Sequence, residues 1–208
     1  MSLTCQCPAA TALPTLGKDT CAQAFGQVQR IGFMRLDGAG ISDPTTKTSW
    51  TAAMSETGSD KFIITGFINA PSMEAGAART FGGGNDTLDG VEEIIGAEVT
   101  NFTSVYRNAP QSKIKAMKQL ICEAKAGNLG VFFFNGNGQV MSYKTTSGTG
   151  TVVTTLHPIP VRSLFVGDLA LGMLDSPDGN ALNFSLAPDW SDDAVITDLG
   201  FNVNTELD

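Results

Sequence analysis

One histidine, two tryptophans and two tyrosines stand in a chain of 208 residues, and these shortages narrow what it can do. A catalytic triad needs a nucleophile, a base and an orienting acid. His157 is the sole histidine, the prolines after it, Pro158 and Pro160, fix its backbone without supplying a partner, and it reads as structural. A glycan-binding face needs exposed aromatic rings, for which Trp50, Trp190 and Tyr143 make only a thin platform. Basic residues number 13 against 21 acidic ones, and a net charge of −8 argues against gripping a nucleic-acid backbone. No apolar run approaches the roughly 18 to 20 residues of a membrane helix. Met1-Ser2-Leu3-Thr4-Cys5 lacks the basic region and apolar core of a signal peptide, so synthesis in the cytoplasm is the expectation.

Other chemistry is equally sparse. Cys5 and Cys7 form a C-x-C pair, with Cys21 and Cys122 further on; structural zinc uses C-x-x-C pairs, so free thiols in a reduced compartment are expected. The glycine-dense stretch Phe81-Gly82-Gly83-Gly84-Asn85-Asp86 lacks the Gly-Lys-Ser/Thr ending of a phosphate loop and reads as a flexible turn. Asp189, Asp192 and Asp193 make an acidic cluster in a turn, and Asp175, Asp178 and Asn180 lack the ligand order of a calcium loop. The chain is expected to be no enzyme and to carry no cofactor or metal.

What the sequence does contain is a scaffold. Apolar content of 42%, 23 glycines and one strong helix point to a mainly β (α+β) fold, a β-sandwich or barrel with one flanking amphipathic helix. An N-terminal arm over residues 1–24 precedes a single β-rich domain over 25–208. The helix is expected at about residues 109–126, with Asn108 as N-cap, Gln111 reaching back, Pro110 in the first turn and Gly127 as the left-handed exit. Ile114, Met117, Leu120, Ile121 and Ala124 share one helix face, and Lys113, Lys115, Lys118 and Lys125 cover the rest. A β-hairpin follows: Leu129 to Phe134, the turn Asn135-Gly136-Asn137-Gly138, and Gln139 to Lys144. Val131-Phe132-Phe133-Phe134 shows no alternation, so both faces need cover, from the helix and from a second sheet or a neighbouring subunit.

Further strands are expected over Gln27 to Leu36, Lys61 to Ile68, within Leu88 to Thr103, and over Thr151 to Leu156, Val161 to Leu171, Ala181 to Leu186 and Ala194 to Phe201. Residues 41–60 read as a long polar loop whose large apolar residues are Trp50 and Met54. Pro188 to Asp193 reads as an acidic corner around Trp190, and the last residues as a trailing acidic end.

Charge is unevenly spread. Basic against acidic residues are four to five over 1–60, two to six over 61–100, six to one over 101–144, and one to nine over 145–208. A basic middle and an acidic end let one copy's helix meet another copy's acidic surface head to tail. Lys113, Lys115 and Lys118, with Trp50, Met54, Asp192 and Asp193, are the candidate oligomer interface.

This order of parts, a pliant arm, a long polar loop, a β-rich body and one flanking helix, resembles the tail tube (major tail) proteins of long-tailed bacteriophages. The phrases Leu129-Gly130-Val131-Phe132-Phe133-Phe134-Asn135-Gly136-Asn137-Gly138-Gln139-Val140 and Asp178-Gly179-Asn180-Ala181-Leu182-Asn183-Phe184-Ser185-Leu186-Ala187-Pro188-Asp189-Trp190-Ser191-Asp192-Asp193 are similar to structural proteins of phages infecting Bacteroidota. The resemblance implies hexameric rings stacked into a virion tail tube that passes DNA without specific binding. It implies no enzyme, cofactor or membrane, and as partners other copies of the chain and other tail proteins, assembled in the host cytoplasm. A capsid decoration or other virion β-sandwich protein is the alternative, with a carbohydrate-binding module behind it. On this reading the 41–60 loop orders on joining a neighbour. Its deletion is expected to abolish polymerisation while leaving the β body folded.

Overall fold

The computed structural model describes residues 25–86, 88–147, 153–172 and 178–207. In chain order the elements are β1 (Val28–Arg35), β2 (Ile41–Ser42), α1 (Lys47–Ser55), β3 (Ile63–Ile64), β4 (Ile68–Glu74), β5 (Ala78–Gly82), β6 (Glu92–Ala97), β7 (Thr100–Arg107), α2 (Gln111–Ala126), β8 (Leu129–Asn135), β9 (Gln139–Ser147), β10 (Val153–His157), β11 (Ile159–Ala170), β12 (Gly179–Leu186), β13 (Ala194–Asp198) and α3 (Val203–Glu206). The protein is mainly β, and α2 is its flanking helix. The described residues divide into a body, 25–77 with 98–207, and a separate unit, 78–97.

In the body all strand pairs are antiparallel. β8 pairs with β1 along its length, with β9 at Phe133 and Phe134, and with the start of β11 at Val131 and Gly130. β9 also pairs with β10 and β13, β10 with β2, and β1 with β3. From β11 the sheet continues through β12 and β7 to β4. The chain changes partner at Pro158, where His157 still faces Tyr143 while Ile159 already faces Val131. His157 to Pro160 reads in sequence as a break between strands because proline has no ladder donor; the structure narrows it to Pro158, with His157 in β10 and Pro160 inside β11.

β8 is buried at each of its residues, which is why its sequence does not alternate. Leu129, Val131 and Phe133 enter one cluster with Phe102, Phe184 and the α2 residues Ile114 and Met117. Phe102 stacks on Phe184 at 4.7 Å, and Phe133 lies 6.0 Å from Phe184, so the β7–β12 layer packs face to face on β8. Phe132 and Phe134 turn to a second cluster with Trp50, Phe62, Leu156, Val203 and Leu207. The second cover is thus supplied by this chain's own α1 and C-terminal segment.

That second cluster corrects three expectations. The supposed loop at 41–60 contains β2 and α1, and Trp50 is fully buried. Its ring meets Phe62, Phe132 and Phe134 edge to face at 5.1, 5.6 and 5.4 Å, a favoured aromatic geometry. Its indole N–H donates to Pro44 O at 2.9 Å. The chain end does not trail: α3 brings Val203 and Leu207 into the core, and buried Arg30 donates to Val203 O and Leu207 O at 2.8 and 2.7 Å and to Thr65 O at 2.8 Å. Of Lys61 to Ile68 only Ile63 and Ile64 form β3, and Ile68 opens β4, while Phe62 turns into the core against Trp50. Gly32 permits this approach, since a Cβ there would stand 2.3 Å from the Phe62 ring.

α2 begins later than expected. Pro110 is its N-cap, with no side-chain cap hydrogen bond, and Asn108 lies outside with φ 52°. Gly127 ends the helix at φ 74°. In the separate unit β5 and β6 form a hairpin, and Gly83 and Gly84 turn it at φ 101° and 62°. The expected arm over 1–24, with Cys5, Cys7 and Cys21, lies outside the described residues, as do 148–150 and 173–177.

Trp50→Ala is expected to destabilise the fold by about 3–5 kcal/mol in urea unfolding; a loss below about 1 kcal/mol would show that the aromatic cluster is not a core. Deletion of residues 41–60 is now expected to abolish the cooperative transition, against the sequence-based expectation above.

Candidate assembly surfaces

Helix α2 is held by burial of Ile114, Met117 and Ala124, with Leu120 and Ile121 packed at the margin, over β11 and β8. This leaves Lys113, Lys115 and Lys125 exposed. Lys118 is half-buried and its ammonium donates to the Asp168 carboxylate. That hydrogen bond, and then the Lys118 charge, hold the Asp168 carboxyl below the usual carboxylate range. One of the four helix lysines is therefore matched within its own chain.

The acidic corner forms as the sequence suggests. Asp192 N–H donates to Asp189 O at 3.1 Å, and Asp189 takes φ 65°. Trp190 packs against the first cluster, 6.2 Å from Phe133, and its carbonyl accepts from Tyr143 Oη at 3.0 Å. Burial, with Asp193 and then Asp192 adding to it, pushes the Tyr143 phenol up. Asp192 and Asp193 are exposed. Among the described residues no ion pair joins them to the helix lysines. Met54 is half-buried against the second cluster. Trp50, with no exposure, leaves the candidate interface and belongs to the core; for the same reason it leaves the aromatic platform.

Two surfaces escaped the sequence reading. The first is the layer β11-β12-β7-β4. Among the described residues β4 pairs only with β7, and Val161 to Ala170 of β11 only with β12, so no described strand lies at either outer edge. Both edge strands carry irregularities, at Ala70 (φ 47°) beside Pro71 and at Ser163 (φ 53°). Bulges are common at sheet edges and at the rims of barrels. Phe165, Leu169 and Leu171 are exposed along the β11 side and Met73 on β4. On the outward face Phe165, Asn183, Thr103 and Ser72 lie in register as an uncharged row, beside a row of Arg162, Ser185, Asn101 and Glu74, with Arg107 further along β7 on the same face. The irregular pairing hid this face, because bulges break the two-residue period.

The second surface is the hairpin. Thr80 pairs with Ile94 and Phe81 with Glu93, so Ile94 and Phe81 point to opposite faces. Ile94 is 74% exposed, Phe81 58%, Val91 62% and Ile95 54%, so neither face has cover. Read in sequence, Val91, Ile94 and Ile95 fall within the strand region Leu88 to Thr103, and Phe81 within the glycine-dense turn.

His157 Nε2 lies 2.9 Å from Thr145 Oγ1, and Gly40 lies against its ring. Asp178 accepts from Gly172 N–H at 2.6 Å, which is turn chemistry, and Asn180 donates to Gly167 O; Asp175 lies outside the described residues. Cys122 is a free, exposed thiol. Among the described residues no group of three or more potential ligands can hold a metal, and no helix is long and apolar enough to cross a membrane.

No family model matches the chain, and no curated protein matches it. Among solved structures it is similar to a chain from the tail of an empty GTA particle with C6 symmetry, at 11% identity and TM-score 0.39, covering 85% of this chain and 99% of that one. It is also similar to a chain from the six-fold symmetrised baseplate of the anti-feeding prophage, at 8% identity and TM-score 0.37, covering 88% and 100%. Likeness at this level carries no argument about function.

Tyr143 gives a pH test. A phenol raised on folding favours its neutral form, so its contribution is fully present below about pH 10 and is lost as pH rises through the folded value. Its ultraviolet titration should lie above the usual phenol range, and Asp192→Asn with Asp193→Asn should lower it only in part, burial being the larger cause. A full return to the usual range would contradict that ordering.

Proposed function

We propose that this chain is a virion structural subunit that polymerises into a phage tail tube, as stacked rings with hexamers the expected form, and that the tube conducts DNA. The observation that carries the reading is the layer β11-β12-β7-β4 with both edges open. A free β4 edge on one copy and a free β11 edge on the next are different surfaces, so their pairing is heterologous and closes into a ring when the rotation allows. Joined edge to edge, the layers make a barrel with no exposed edge. The hydrophobic side chains beside the β11 edge would then be covered.

The outward face would line the lumen. Thr103, Asn183 and Ser72 form an uncharged row there, the adjoining row carries Arg162 with Glu74, and the net charge of −8 repels the backbone at distances of about a Debye length. DNA would pass without being gripped. Of the candidate interface residues, Lys113, Lys115, Met54, Asp192 and Asp193 remain available to a neighbour. A capsid decoration protein could use the same edges in a lattice, and imaging separates the two.

Electron microscopy over a concentration series, beside solution mass, is expected to show rings or tubes. Leu169→Lys with Leu171→Lys is expected to keep the fold but hold the chain at single-subunit mass. A wild-type chain that stays monomeric at every concentration would overturn the reading, and a flat lattice would favour the decoration protein.

A further inference from the structure

The hairpin β5–β6 is the part of the molecule that the proposed ring leaves unexplained. A two-stranded hairpin is marginally stable by itself, and this one exposes Phe81 on one face and Ile94 on the other, with Ile95 and Val91 beside them. Residues 78–97 carry Arg79 against Asp86, Asp89, Glu92 and Glu93. It is an acidic ribbon with bare apolar side chains on both faces. Such a ribbon exposes surface that association can remove from water.

The body offers a surface of the opposite character. Two adjoining hollows of about 220 and 190 Å³ share Phe33 and Ile63 and form one groove between α2 and β3. Its floor is apolar, from Ile63, Ala116, Met117 and Leu120. Lys61 and Lys113 line its walls, and Lys115 stands exposed on the same helix. The one acid of the lining, Glu123, is engaged by Arg35 at 3.4 Å. β3 adds an edge with no strand partner beyond β1. The groove is therefore apolar within and basic at its rim.

We propose that the hairpin of one copy docks in the α2–β3 groove of a second copy, with Ile94 filling the groove and Glu92, on the same face of the ribbon, facing Lys61 and Lys113. This rests on the self-assembly reading and names its partner surface. The apolar side chains supply most of the free energy, and the charges supply orientation, rate and salt sensitivity. The contact is again heterologous, so it propagates from copy to copy. One hairpin buries less than the roughly 800 Å² per partner of a stable pair. The contact accordingly holds only when repeated around an assembly.

A charge swap tests it with full-length chains. Glu92→Lys, and separately Lys61→Glu with Lys113→Glu, should each weaken self-association about tenfold or more in sedimentation. Mixed one to one, the two variants should recover association above either alone, because each supplies the surface that the other has lost. Ile94→Asp should block assembly without changing the unfolding midpoint of the body. Variants that assemble like wild type, or a mixture that gains nothing, would overturn the hairpin contact while leaving the tube reading intact. A wild-type chain that never assembles would overturn both.

Discussion

Burial of β8 on both faces is the constraint from which the rest follows. A strand of Leu129-Gly130-Val131-Phe132-Phe133-Phe134-Asn135 has no side to turn to water, and leaving three phenylalanines half-covered would forgo several kcal/mol of apolar transfer, about 1.5–3 kcal/mol for each. One side is therefore closed by β7, β12 and α2. The other is closed by α1, Phe62 and the last residues of the chain. These covers come from segments far apart in sequence, so the body folds as a unit around one strand.

The same constraint decides what is left outside. With α1 and α3 committed to the second cluster, neither can order later on a neighbour, and Arg30 fastens the end by its bonds to Val203 O and Leu207 O. A buried guanidinium is tolerated only when its donors are satisfied, so the chain end is part of the structure. What remains for association are the two edges of the β11-β12-β7-β4 layer, the lysine face of α2, and the hairpin β5–β6. Assembly on this account adds to a finished body and does not complete it.

Much of this architecture was legible in the residues, and the misses have definite causes. The α2 face and the β8–β9 hairpin were readable because apolar spacing and turn glycines agree with each other. Leu182, Phe184 and Leu186 alternate inward in β12 as read. α1 was missed because Thr and Ser dominate it, although Trp50, Ala53 and Met54 stand at i, i+3 and i+4. Leu199, Val203 and Leu207 keep a four-residue spacing that could have flagged the buried end. The interface candidates fared less evenly, since Trp50 proved to be core, Met54 and Lys118 are half-buried, and Lys113, Lys115, Asp192 and Asp193 are exposed. The sheet edges could not be read at all, because pairing partners and bulges are properties of the fold and carry no local signature.

Hydrogen–deuterium exchange on the assembled and the dissociated protein tests this division between finished body and waiting surface most directly. The account predicts that β8 amides are protected to the level of global unfolding in both states, while β5, β6 and the outer edges of β4 and β11 exchange freely in the dissociated chain and become protected on assembly. Rapid exchange of β8 in the dissociated chain, or a hairpin equally protected in both states, would contradict it.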